Sequence, residues 1–386
     1  MQKYSEELNT LKENSSFRTI KNIKEKFSKY IIVDDKKMLN LSSNDYLNLS
    51  TNEDLKLEFI DKFKNSNEFI FSSASARLLT GNSKTYQTFE KNIAKLFSKE
   101  SALLYNTGYQ CNQGVISTLF NKDDCIFSDK LNHASIVSGL KLSPAQHFRY
   151  QHLNYDNLEK LLREKRKDYK NAIIISESVY SMDGDIADIK KLIELKKKYN
   201  CLLMIDEAHA FGVFGQNLCG VSQELEVLDE IDIITITLGK AFASMGAVCL
   251  ANKTIIDYLI NKSSSFIFST ALPCVNILWS NFLLEEKFNL LKEKSEKLRS
   301  LFKNVHNIFP TISSSQIIPV VLKYSKIAKE TATLLQENGY YVLPINPPTV
   351  PIGTSRLRIS LTSDITLDEI NLLFEKIKDI KCNING

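Results

Sequence analysis

The sequence predicts an α/β protein: a large domain on a mainly parallel sheet, followed by a smaller α+β domain. Three observations carry that expectation. Between about residue 85 and residue 270, stretches of helical period alternate with short β-rich runs, namely Ala102–Tyr105, Ile173–Ser176, Leu202–Ile205, Ile233–Ile236 and Ala247–Leu250. That rhythm belongs to strands covered by helices on both faces. After about residue 275 the texture changes to amphipathic helices and alternating strands. The chain has 386 residues, 43% of them hydrophobic, which suffices for one large domain or two modest ones.

In chain order, residues 1–45 read as an N-terminal arm, 46–275 as the large domain and 276–386 as the small one. Inside the large domain, Asp188 to Asp206 forms a clear unit. Its helix keeps Ile189, Leu192 and Ile193 in phase, breaks at Tyr199-Asn200, and feeds an apolar strand ending at Asp206. Leu283, Leu284, Phe288, Leu291, Leu298, Leu301, Phe302 and Val305 recur at helical spacing, which predicts one long helix stopped by Pro310. There follow a strand at Ile317–Leu322, a helix to about Asn338 with Gly339 as its stop, and strands at Tyr340–Leu343 and Arg356–Thr362. The last helix opens on the capping-box spacing Thr366-x-x-Glu369. In the Arg356–Thr362 strand, period two places Leu357, Ile359 and Leu361 on a core face and Arg356, Arg358 and Ser360 on a polar side.

Composition narrows the function classes. Lys and Arg number 49 against 45 Asp and Glu, a formal charge of +4 too small and evenly spread to imply a nucleic-acid or membrane partner. Apolar runs such as Cys201–Ile205 fall short of the roughly 18 residues a membrane span needs, and the polar start has no secretory core, so the cytoplasm is expected. The seven cysteines are scattered and never paired as CxxC. They indicate neither a disulfide framework nor a zinc or other metal site, and read as small buried hydrophobes.

Polar residues fall at the C-terminal ends of the strands, where open α/β sheets bind ligands. Asp206-Glu207-Ala208-His209 offers a fixed negative charge with a hydrogen-bonding imidazole beside it. Thr237-Leu-Gly-Lys240 offers a lysine that, partly desolvated, could attack a carbonyl carbon. Asn106-Thr-Gly-Tyr109 ends a strand and begins a helix, where backbone N–H groups could hold a phosphate. Taken singly, strand-end residues of these kinds are most often turn and surface residues; their joint order on one sheet edge points to a site.

With these residues in hand, the chain resembles the α-oxoamine synthase family of pyridoxal-phosphate (PLP) enzymes of fold type I. The matching segments are Leu41–Leu47, Arg77–Gly81, Asn132–Ser135, Tyr180–Asp185, Ile205–His209, Thr237–Phe242 and Phe268–Pro273. The resemblance implies that Lys240 binds the cofactor covalently and acts as the Cα base, and that Asp206 pairs with the ring nitrogen. It further implies that His209 and Ser181 address the phenolic oxygen, that His133 stacks on the ring, and that Gly108, Tyr109 and Thr237 hold the cofactor and its phosphate. Thr270 would reach the phosphate of a neighbouring copy, making a homodimer. Arg358 would take the amino-acid carboxylate, with Thr349, Asn44 and Arg18 near the substrates, although a solvated surface role for Arg18 is about equally open. Arg356 shares the face of Arg358.

The stretch Pro347–Arg358 is most similar to the branch that condenses L-alanine with a pimeloyl thioester, carried by CoA or by acyl carrier protein. The alternatives are branches of the glycine C-acetyltransferase, 5-aminolevulinate synthase or serine palmitoyltransferase type, or a non-catalytic partner subunit. Ala76, Tyr86, Ala243 and Asn48 depart from the family's usual serine, histidine and two glycines, changes expected to cost backbone freedom and to alter the acyl-channel wall. His147, His152 and His306 match no motif and read as surface or structural residues.

Overall fold

The computed structural model describes residues 2–385, including side chains for all but 381 and 383–385 of these. It divides into two compact units: Glu53–Tyr180 with Ile186–Ser295, and Met1–Asn52 with Ser181–Asp185 and Glu296–Gly386. The first unit thus runs past residue 275, and the N-terminal segment belongs with the C-terminal one.

The first unit is built on a seven-stranded sheet in the order Ser101–Tyr105, Ala247–Ala251, Ile233–Thr237, Leu202–Asp206, Ala172–Glu177, Cys125–Asp129, Gln146–Tyr150. Only Ala247–Ala251 runs against the rest, antiparallel to both of its neighbours. The five strands expected from the sequence are all present. Ala172–Glu177 and Cys125–Asp129 are buried at every position, because helices cover both faces of the sheet. Leu103, Ile126, Ile173, Ile175, Met204, Ile233 and Cys249 share one core with the helices Gly108–Leu119 and Ala134–Leu142. The helix Ile189–Tyr199 ends on Asn200, whose φ of +49° is the left-handed stop its sequence promised.

The expected single helix after residue 275 is two, Cys274–Glu286 and Phe288–Ile308, broken at Lys287. Hydrophobic spacing continues through Lys287, from Leu283 and Leu284 to Phe288 and Leu291, so periodicity alone could not show the break.

The second unit carries two sheets. Ile23–Phe27, Tyr30–Val33 and Lys36–Asn40 form a meander whose last strand pairs in parallel with Tyr340–Tyr341. Ser355–Ser360 lies between Ile317–Lys323 and Pro344–Ile345. The expected strand at Tyr340–Leu343 is therefore shorter, Tyr340–Tyr341 alone, with Val342 and Leu343 linking it to Pro344–Ile345 in the other sheet. The capping box of the final helix, Leu367–Asn385, is made: Thr366 N donates to Glu369 Oε2 at 2.9 Å and Glu369 N to Thr366 Oγ1 at 3.3 Å. The "polar side" of Ser355–Ser360 is not solvent-facing, since all six of its residues are buried. Its two arginines are instead paired inside the unit.

Among the described residues, no helix is long and apolar enough to cross a membrane. Six cysteines are buried and Cys382 is exposed. Burial pushes the thiols up, to about 11 at Cys201 and about 12 at Cys249, so they behave as hydrophobes at neutral pH.

Candidate active site

Parallel pairing brings strand ends side by side in the first unit. Glu177 pairs with Asp206, and Asp206 with Thr235, so their side chains crowd one edge of the sheet. Asp206 is 6% exposed. Its Oδ2 accepts from Asn112 Nδ2 at 2.7 Å and its Oδ1 from Ala208 N at 2.9 Å. These neutral donors orient a carboxylate that still has lone pairs for a further proton-bearing partner. Burial and the neighbouring Asp206 push Glu177 well above the usual carboxylate range. One Glu177 oxygen accepts the His133 backbone N–H at 2.5 Å.

Lys240 follows the strand Ile233–Thr237 through a tight turn, and its Nζ lies 2.9 Å from His209 Nε2. The turn closes with Ala243 N donating to Lys240 O at 2.9 Å, and Ala243 has φ +46°. Asn48 has φ +51°. The two family glycines replaced here thus occupy left-handed backbone, which costs a non-glycine residue roughly 1–2 kcal/mol. Asn48 offsets part of this through its amide bond to Asp364 Oδ2 at 2.6 Å. Of the other departures, Ala76 is half-buried and bridges Thr270, while Tyr86 is buried as packing: its hydroxyl donates to Leu272 O, and the Arg77 guanidinium lies 4.1 Å from its ring centroid.

The helix Gly108–Leu119 opens beside Thr237. Thr107 caps it, accepting from Gln110 N at 3.1 Å, which leaves the N–H groups of the first turn, at Gly108 and Tyr109, to face an anion. A Cβ built on Gly108 would sit 3.7 Å from Thr237 Oγ1, which places that hydroxyl at the helix mouth. Thr270 forms an isolated bridge with Ala76 and accepts from Asn106 Nδ2 at 2.7 Å. His133 caps the helix Ala134–Leu142.

The first unit therefore brings together Lys240, His209, Asp206, His133, Gly108 and Thr237. Those residues suit PLP: a buried anion for the ring nitrogen, a lysine beside an imidazole, and a helix N-terminus with a hydroxyl for the phosphate.

In the second unit, Arg356 ion-pairs with Asp183, both side chains nearly inaccessible. Arg358 Nε donates to Ser181 O, Nη1 to Ser360 Oγ at 2.6 Å and Nη2 to Tyr46 Oη at 3.3 Å. Tyr46 Oη in turn donates to Asn44 Oδ1 at 3.3 Å. Burial raises the Tyr46 phenol although Arg358 opposes this, so the hydroxyl keeps its proton. Gly184 anchors the Ser181–Asp185 segment: at φ +70° a Cβ would meet Ile317 O at 2.2 Å. Arg18 Nη2 donates to Thr349 Oγ1 at 2.9 Å, joining two of the residues expected near substrate.

Residue-by-residue reading missed Asn112, Ser135, Glu177 and Tyr46. Asn112 had a signal, being a polar residue between Cys111 and Val115 on the buried face of its helix. Of the histidines left aside, His152 is half-buried on Asp129 Oδ1 at 2.9 Å, and His306 contacts Ser315 O at 3.1 Å.

Comparison with known proteins agrees with the geometry. The model of the family "Aminotransferase class I and II" matches residues 36–377. A Glaesserella parasuis protein named "Putative 8-amino-7-oxononanoate synthase" is 44% identical over 376 residues, 96% of this chain and 98% of its own. A Haemophilus influenzae protein of the same name is 42% identical over 375 residues, with the same coverage of both chains. The solved 8-amino-7-oxononanoate synthase of Francisella tularensis is 30% identical with a TM-score of 0.74, covering 90% of this chain and 99% of that one. Serine palmitoyltransferase from S. paucimobilis reaches a TM-score of 0.87 over 99% of this chain and 98% of its own, but at 24% identity that likeness shows the fold alone. The chain belongs to the aminotransferase class I and II family, with fold type I, on its α-oxoamine synthase branch of PLP-dependent acyltransferases.

Proposed function

We propose that this enzyme condenses L-alanine with a pimeloyl thioester to give 8-amino-7-oxononanoate, carbon dioxide and free thiol, a step of biotin biosynthesis. What carries the reading is the identity of 44% over nearly the whole chain to a protein bearing that synthase's name, against 24% to the serine palmitoyltransferase. Bound PLP supplies an electron sink conjugated to the substrate nitrogen, so a bond at the alanine Cα can break heterolytically. Lys240 Nζ is the base that takes the Cα proton, with His209 Nε2 at 2.9 Å as its polar neighbour. Asp206 holds a proton on the ring nitrogen by its charge. Gly108, Tyr109 and Thr237 take the phosphate, and Ser181 assists His209 at the phenolic oxygen. His133 covers the ring face and donates to the oxygen that gains charge during condensation and loss of carbon dioxide. Arg358 takes the alanine carboxylate with donors left over from its internal bonds, beside Asn44, while Arg18 and Thr349 meet the acyl substrate.

We further propose that a second copy completes the site through Thr270. Leu79 is 79% and Phe268 83% exposed, and the Ala76–Thr270 bridge ties together the two segments that carry these apolar side chains, which a second copy would cover. Mixing Lys240→Ala and Thr270→Ala chains should then redistribute the two defects among sites; a fully active monomer would contradict this. The function itself is tested by screening L-alanine, glycine and L-serine against short and long acyl thioesters on CoA and on acyl carrier protein, following thiol release. Alanine with the pimeloyl thioester is expected to be fastest. Preference for serine with a long acyl chain, or for glycine, would replace the reading with another α-oxoamine synthase activity.

A further inference from the structure

We propose that Asn112 and Ser135 are positioning residues that hold His133 as the neutral imidazole with its proton on Nε2, and tie that tautomer to the carboxylate of Asp206. The Ser135 backbone N–H points at His133 Nδ1 from 3.2 Å. A backbone N–H can only donate, so Nδ1 must present a lone pair. The Ser135 hydroxyl lies 2.8 Å from the same nitrogen. That hydroxyl already accepts from Asn112 Nδ2 at 3.0 Å, which leaves its own proton for Nδ1.

The direction of this chain is set by Asn112. Its Nδ2 also donates to Asp206 Oδ2 at 2.7 Å, while its Oδ1 accepts from Thr235 Oγ1 at 3.0 Å. Turning the amide over would set its oxygen against a carboxylate. Asn112 is 3% and Ser135 1% exposed, so water does not compete for these bonds. Donation therefore runs one way, from Asn112 through Ser135 to His133.

The charged groups around His133 are Asp206, Lys240 and Glu177. Burial holds the imidazole below its ordinary value; Asp206 works against this and Lys240 with it. Glu177 is engaged by the His133 backbone N–H. The positive end of the helix His133 caps also disfavours an imidazolium there. His133 thus offers its ligand a neutral N–H at Nε2. Only the identity of the group that meets this N–H rests on the proposed function; the tautomer belongs to the protein alone.

The test is ¹⁵N NMR of histidine-labelled, cofactor-free protein from pH 8 to 5, with His133→Asn assigning the signal. The expected wild-type signal has Nδ1 unprotonated and Nε2 protonated at pH 7. Ser135→Ala should raise the His133 titration by roughly half to one pH unit, the worth of one hydrogen bond, and Ser135→Thr should restore it. Asn112→Leu should raise the titration in the same direction, because the Ser135 hydroxyl, no longer held as an acceptor, is free to turn its proton away from Nδ1 while the Ser135 backbone N–H still faces that nitrogen. Protonated Nδ1 in the wild type at pH 7, or Ser135→Ala and Asn112→Leu chains that fold with an unchanged His133 signal, would overturn the proposal. The expected tautomer in a protein that releases no thiol from alanine and pimeloyl-CoA would strike the proposed function and leave this inference standing.

Discussion

Two strands carry the charges of this molecule in opposite ways. Leu202–Asp206 is apolar along its length and places its one charge at its C-terminal end, where neutral N–H donors orient it. Ser355–Ser360 carries two arginines within its span and is buried throughout, so each guanidinium needs a partner of its own. Arg356 has Asp183; Arg358 has a carbonyl and two hydroxyls. A charge at a strand end is available to a ligand, whereas a charge inside a strand serves the fold first.

That contrast can be broken most strongly at Arg356. Arg356→Ala leaves Asp183 buried without its cation and should destabilise the protein by about 3–5 kcal/mol, read from denaturant unfolding. Unchanged stability would mean that the interior pair is not structural. Asp206→Asn removes the charge and keeps one acceptor where Asp206 uses two, so its NH2 faces either the Asn112 or the Ala208 donor. Cofactor affinity and turnover are expected to fall about 10- to 100-fold, since a charged hydrogen bond is worth about 1.5–3 kcal/mol, with a smaller stability loss than at Arg356→Ala. A large stability loss with normal cofactor binding would reverse the roles of the two strands. Arg358→Lys sharpens the comparison by keeping charge and losing the planar fork: KM for the amino acid should rise about tenfold, the worth of one charge-assisted hydrogen bond, while KM for the thioester stays put.

The smallest effect is in pH. Burial holds His133 and His306 below the ordinary imidazole value of 6.5. A base depressed in the folded state stabilises it fully above the unfolded value and loses that contribution as pH falls through the folded one. Tm should therefore be flat from about pH 8 to 7 and decline from about 6.5 to 5, with His306→Gln declining less. A Tm that rises on acidification would contradict the sign.

The parallel-sheet half was legible where its strands are short, apolar and followed by polar residues at one sheet edge; Gln146–Tyr150, with Gln, His and Arg in its span, gave no such signal. Asp206, His209, Thr237 and Lys240 could be picked out from position alone, and the Ile189–Tyr199 helix with its Asn200 stop came with them. The second unit was harder to read. Its apolar run Tyr340–Leu343 supplies only a two-residue strand before the chain passes to Pro344–Ile345 in the other sheet, and alternation marked Arg356 and Arg358 as polar without showing that the polar side was enclosed. Asn112 and Ser135 were obscured for a different reason: both act on other side chains, and the residues they hold, Asp206 and His133, lie 94 and 2 positions away in the chain.

The central claim is that Lys240 removes the alanine Cα proton before carbon–carbon bond formation. Alanine deuterated at Cα, turned over with pimeloyl-CoA, tests it directly by mass spectrometry of the product, with Lys240→Ala as the inactive control. The expected product is 8-amino-7-oxononanoate without the label, together with one carbon dioxide and one thiol per turnover. Product that retains the deuterium would mean that carbon dioxide leaves first and that Lys240 is not the Cα base.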